Sequence, residues 1–193
     1  MPGLTGPPAG FEPVVVAGGH MIDGADRAAP RLRPGDEESM TRAIGEAFDR
    51  WRVGPGALVL SGGARGADII SAEQALARRA EVWLLVALPD ETFVVRSVDR
   101  PGSDWAERYR DLRRRCPTWF QAEALGPLTE GQHVFERNND WCLEVARAQA
   151  PPGAVRVLAV WDGLDGDGRG GTAHLVRRAR ETGAMVEVIR PPS

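Results

Sequence analysis

The sequence predicts an α/β fold: a Rossmann-like, doubly wound, mostly parallel sheet with helices on both faces. Three observations lead there. Short apolar runs do not alternate with polar residues, the pattern of strands buried on both sides. Segments with apolar residues at helical spacing separate them. Three of the strand-to-helix junctions are rich in glycine. Parallel neighbours joined by right-handed crossovers then favour the doubly wound sandwich, whose ligands bind beyond the strand C-terminal ends.

The elements follow in order. Residues 1–12 are rich in Pro and Gly and read as a flexible segment, leaving 13–193 as a single domain. Val14–Ala17 is a buried strand running into Gly18-Gly19. Met40, Ile44, Phe48 and Trp51 mark a helix over 36–52, with Asp36 as its N-cap. Ala57–Leu60 is a second strand, and Ile69, Ala72 and Leu76 mark the next helix. Val82–Leu88 is a third strand, closed by Pro89. Regularity falters over 89–133, where Trp105, Tyr109 and Leu112 support one helix and Thr118–Phe120 a short strand. Phe135, Asn139, Cys142, Ala146 and Ala150 line one face of a further helix. Val157–Trp161 is a strand, Thr172–Glu181 a helix and Met185–Ile189 a closing strand. Trp83 and Trp161 read as core residues, and Trp141 as packing or a platform for a base.

Composition excludes several functions. All 24 basic residues are arginine, which rules out a Schiff-base lysine and a Walker-type phosphate loop. A net charge of −3 makes a DNA partner unlikely by composition. Cys116 and Cys142 form neither a CxxC pair nor a zinc spacing, and Asp162, Asp165 and Asp167 lack the terminal Glu of a calcium loop. No metal site of the protein's own is expected, although Mg²⁺ accompanying a phosphate ligand stays open. The N-terminal stretch does not read as a signal peptide and no apolar run approaches membrane-spanning length, so the expected location is the cytoplasm.

The glycine-rich junctions are the candidate site: Gly18-Gly19-His20-Met21-Ile22-Asp23, then Ser61-Gly62-Gly63-Ala64-Arg65-Gly66-Ala67-Asp68, then Gly166-Asp167-Gly168-Arg169-Gly170-Gly171-Thr172. Glycine lets a backbone approach a ligand, and a helix N-terminus offers unpaired N–H groups and a partial positive charge. With no lysine, arginine must neutralise a phosphate. Arg65 is read either as a solvated side chain or as a phosphate contact. Asp68 is either a helix-dipole carboxylate or an acceptor for a ribose hydroxyl. Arg137 opens a helix and is read as a ligand contact. Asn138 and Asn139, the latter on the apolar face, are backbone clamps or ligand contacts. No catalytic residue is assigned.

The SGGARGAD stretch after a strand, the Gly170-Gly171-Thr172 helix start, the Gly18-Gly19-His20 turn and Phe135-Glu136-Arg137-Asn138-Asn139 together resemble the SLOG superfamily. That superfamily includes Lonely Guy phosphoribohydrolases, the DNA-processing protein A family and nucleotide-sensing domains of some cation channels. The resemblance spans about residues 14–190. It implies a Rossmann-like domain, a nucleotide or nucleotide-derived ligand, and a role like that of stand-alone bacterial members in signalling or conflict systems, working through an effector protein or a homo-oligomer. One departure stands out. Aligned on Gly171-Thr172, the glutamate of the Lonely Guy pattern falls on Leu175, beside His174. That favours binding over N-glycosidic hydrolysis, which stays as the alternative, with single-stranded DNA binding as the third.

Overall fold

A computed structural model describes residues 10–24, 27, 29–165 and 169–192. Residues 1–9 of the proposed flexible segment, and Asp167 with its neighbours 166 and 168, lie outside the described residues.

Six strands form one all-parallel sheet in the order β4-β3-β2-β1-β5-β6. The chain runs β1 (Val14–Gly19), α1 (Glu37–Arg50), β2 (Leu58–Ser61), α2 (Ala67–Ala77) and β3 (Glu81–Val86). It continues through α3 (Asp90–Phe93), extended by a π-helical turn over Val94–Val98, then α4 (Trp105–Arg115), β4 (Thr118–Phe120) and α5 (Gln121–Leu125). It closes with α6 (Val134–Gln149), β5 (Val155–Val160), α7 (Thr172–Glu181) and β6 (Met185–Ile189). The sheet grows outward from β1 to β4, then α6 carries the chain back to the other side of β1. The order therefore reverses between β1 and β5, and their C-terminal ends bound a crevice.

Side chains of each central strand alternate between two cores. Val15, Ala17, Val59, Leu158 and Val160 pack into the core that contains residues of α1, α2 and α4. Val14, Val16, Leu58, Leu60 and Val157 pack with α6 and α7. Both faces are covered, so both phases of the pleat are apolar and no alternation survives in the sequence. On the first face, Arg108 of α4 ties three helices together. Its guanidinium donates to Glu37 of α1 (2.5 Å) and to both oxygens of Glu73 of α2 (2.9 and 2.6 Å), and it stacks on Trp105 at 3.9 Å.

Three local expectations need correction. Asp36 precedes α1, but its carboxylate accepts from the Arg33 N–H (2.8 Å) and caps the 3₁₀ turn Pro34–Asp36 instead. On α6 the buried asparagine is Asn138; Asn139 is half-buried. Trp83 and Trp161 are half-buried rather than core, whereas Trp141 is buried, which leaves packing as its role.

Candidate functional site

All three glycine-rich junctions lie at the C-terminal end of the sheet. They border a cleft of about 380 Å³ at the β1/β5 reversal, within the size range of small-molecule sites. Gly18, Gly19, His20, Gly62, Asp68, Asn138, Gly170, Gly171 and Thr172 line it. Asp23, Gly63, Arg65 and Arg137 do not.

The glycines of the first two loops serve the chain itself. A Cβ on Gly19 would sit 2.3 Å from the Val160 carbonyl oxygen, because β1 and β5 close up there and the His20 N–H donates to the same carbonyl (2.9 Å). Cβ atoms on Gly18 and Gly62 would lie 2.8 and 2.7 Å from the oxygens of Asp68. Those oxygens accept the N–H groups of Gly19 and Ala64, both at 3.2 Å. The Gly63 N–H donates to Ser61 Oγ, the Arg65 N–H to the Ser97 carbonyl and the Ala67 N–H to the His20 carbonyl. The group held in the SGGARGAD cradle is thus the protein's own Asp68 carboxyl, and no phosphate takes that place without displacing it. Burial pushes this carboxyl up to about 7 against the downward pull of its two backbone donors.

The third loop is arranged differently. Gly170 has φ +81° and lies against the first turn of α6, where a Cβ would be 2.4 Å from the Glu136 nitrogen. Asn139 Nδ2 donates to the Gly170 carbonyl (3.0 Å) and fixes the turn. The first bond within α7 is donated by Leu175 to the Gly171 carbonyl (3.3 Å). The N–H groups of Thr172, Ala173 and His174 precede it, as at any helix start, and Thr172 and Ala173 line the cleft. Arg169, just before this loop, lines the same cleft and is held by Glu136 through bonds of 3.2 and 2.6 Å. Arg27 and Arg31 line it from the loop after β1.

Four of the polar residues singled out in the sequence bond to the chain itself, Asn138 as one of the backbone clamps it was read as. Arg137 donates to the carbonyls of Leu125, Gly126 and Pro127 (2.6, 3.1 and 3.2 Å), closing the C-terminal end of α5 on an outer groove. Arg65 donates to the Ile22 carbonyl (2.9 Å) and joins the loop after β1 to the 94–98 turn. Asp23 accepts from the Arg31 and Leu32 N–H groups (2.5 and 3.0 Å) and staples its own loop. Asn138 does line the cleft, but its amide is satisfied, donating to the Leu85 carbonyl (2.9 Å) and accepting from Gln121 (3.2 Å). Each was singled out for charge or polarity, and each spends it on backbone. Arg137→Ala is accordingly expected to cost about 1–2 kcal/mol of stability, from lost charge-assisted bonds, and to leave ligand affinity within about twofold. Urea unfolding and a binding titration of the same variant check both halves.

His20 is buried with Nε2 3.1 Å from an Asp162 oxygen and 3.2 Å from the Asp162 nitrogen. Burial lowers its pKa, so near neutrality the imidazole is uncharged and Nε2 can accept the Asp162 N–H. Cys142 in the cleft wall is pushed up to about 12 by burial, then by the nearby Asp68 charge, and is an inert thiol. Among the described lining residues Asp68 is the one acid, and Leu175 lines the cleft as a buried apolar side chain. Phe93, Phe135 and Trp161 supply apolar wall. Sequence reading missed the cleft roles of Arg27, Arg31 and Arg169; the available signal was Arg169 standing immediately before Gly170. Among the described residues no group of three or more His, Cys, Asp or Glu is placed to hold a metal ion, and no helix is long and apolar enough to cross a membrane.

No protein-family model matches the sequence, and no curated protein matches it. Among solved structures, the chain is similar to the X-ray structure of DNA processing protein A (DprA) from Streptococcus pneumoniae, with a TM-score of 0.50 and 16% identity. The match covers 95% of this chain and 51% of that one, so the chain spans about half the length of that protein. At such an identity the likeness carries the architecture alone: an α/β domain with a Rossmann-like parallel sheet, of the kind found in DprA.

Proposed function

We propose that this is a SLOG-like domain that binds a nucleotide or nucleotide-derived signal in the β1/β5 cleft, with the phosphate on the N-terminus of α7. One observation carries the reading: the second glycine cradle is filled by Asp68, whereas Gly171, Thr172 and Ala173 present a helix start to the cleft with Arg169 beside it. The helix dipole and the N–H groups suit an anion there, and the Thr172 hydroxyl adds a donor. The apolar walls suit a base. Leu175 in place of a carboxylate favours binding over the phosphoribohydrolase reaction.

The test is a melting-temperature screen of wild type and Thr172→Val against AMP, GMP, CMP and UMP. At least one should stabilise the wild type, by about 2.7 kcal/mol at 100 times its Kd. Thr172→Val should weaken that ligand about 10- to 100-fold through loss of a charge-assisted bond. Equal binding to both proteins would place the phosphate elsewhere.

A second reading is single-stranded DNA binding, favoured by the fold shared with a protein described as DNA-processing. Against it, Arg114 and Arg115 of the basic run 113–115 already pair with Asp111 (3.1 and 3.0 Å). Oligonucleotide affinity that falls steeply with salt and is unchanged in Thr172→Val would promote this reading over the first.

A further inference from the structure

We propose that Asp68 makes the cleft selective for a phosphorylated ribose with its 2′,3′-diol intact, so that it takes ribonucleotides and rejects their deoxy counterparts. The inference rests on the nucleotide reading above and adds the sugar class. Asp68 sits in the cleft wall with one oxygen on the Gly19 N–H and the other on the Ala64 N–H. A carboxylate oxygen has two acceptor positions, so each retains one after its backbone bond. Gly18 and Gly62, each bare of a Cβ that would fall within 2.8 Å of these oxygens, make the room the carboxylate occupies.

With its carboxyl ionised, as it is above about pH 7, such a wall repels phosphate and asks for donors. A vicinal diol brings two adjacent hydroxyls to two adjacent oxygens. An exocyclic amine on the base is the competing donor. The Ser61 hydroxyl, which donates to the Asp68 carbonyl (3.0 Å), fixes the start of α2. With the cradle rigid, a missing hydroxyl leaves a desolvated acceptor uncompensated, the situation in which polar sites discriminate most strongly. The two ends of the ligand are then read separately, the anion by α7 and the sugar by α2.

The experiment measures Kd by calorimetry for the four ribonucleoside monophosphates and their 2′-deoxy forms on wild type, Asp68→Asn and Thr172→Val. For the preferred base, wild type should favour the ribonucleotide at least about tenfold. Asp68→Asn, which keeps one acceptor, should shrink the preference to within about threefold. Thr172→Val should weaken both sugars equally and preserve the ratio. The wild-type ratio needs no variant, so the proposal stays testable even if Asp68→Asn fails to fold. Equal ribo and deoxy affinities, with Thr172 still needed, would overturn the role of Asp68 and leave the nucleotide reading standing. A preference that follows amino-bearing bases whatever the sugar would likewise overturn it, since Asp68 would then read the base. No binding of any nucleotide would remove the nucleotide reading, and this inference with it.

Discussion

Gly19→Ala is expected to lose about 3–5 kcal/mol of unfolding free energy, placing it among the exceptional single substitutions. Its φ is +152°, and the added carbon would lie 2.3 Å from the Val160 oxygen and 2.6 Å from the Val160 nitrogen. Both are backbone atoms of a central strand that pairs with β1 along six residues, so neither can swing aside as a side-chain tip would. Gly153→Ala separates the two contributions. Gly153 also has a positive φ, +79°, but nothing lies within 4 Å of its Cβ position, so only the backbone cost of about 1 kcal/mol applies. Urea unfolding of the two variants beside wild type measures the difference. If Gly19→Ala proved no worse than Gly153→Ala, the β1–β5 contact would be yielding, and the glycine's purpose would return to the ligand side of the loop.

The same glycine explains what the sequence made legible and what it did not. Helix and strand periodicity comes from burial, and burial here is conventional: β6 and α7 fall at the residues the pattern predicts, and β1, β2 and β3 within two residues of theirs. The glycine junctions were correctly placed at one end of the sheet, because in a parallel sheet every strand-to-helix turn is at the same end. The purpose of each polar residue was less legible. Of Arg137, Arg65, Asp23 and Asn138, Asn138 alone lines the cleft, and all four bond main-chain groups. A lone sequence shows which residues carry donors and acceptors but not which backbone groups an irregular segment leaves unpaired. The 89–133 stretch hid a π-helical turn and α5, and the carbonyls at the end of α5 are those that Arg137 takes. Gly170 shows the same limit, since its contact partner, the Glu136 nitrogen, is 34 positions earlier in the chain.

Asp68 makes stability fall as pH rises. Its carboxyl titrates at about 7 when folded, against 3.8 for an ordinary aspartate. Below about pH 4 both states hold the proton and the contribution is fully present. Between there and 7 the unfolded chain gives the proton up while the folded chain keeps it, so each step in pH favours unfolding. Above 7 the loss is complete, at about 2–4 kcal/mol once solvent at the cleft is allowed for. His20 and His174 act in the opposite sense: burial lowers both below 6.5, so their stabilisation is present above that value and is lost as pH falls through their folded values. Cys142, beside the carboxyl and titrating at about 12, stays neutral throughout. The wild-type profile therefore mixes two slopes, and Asp68→Asn separates them, because asparagine keeps the shape and removes the proton. The stability of Asp68→Asn relative to wild type should rise by about 2–4 kcal/mol between pH 4 and pH 8, above a constant offset for the weaker acceptor. Urea titrations of both proteins at unit pH intervals provide the measurement. A difference that stays flat across that range would mean the carboxyl is ionised at pH 4 in the fold, held by Gly19 and Ala64 more tightly than burial opposes it.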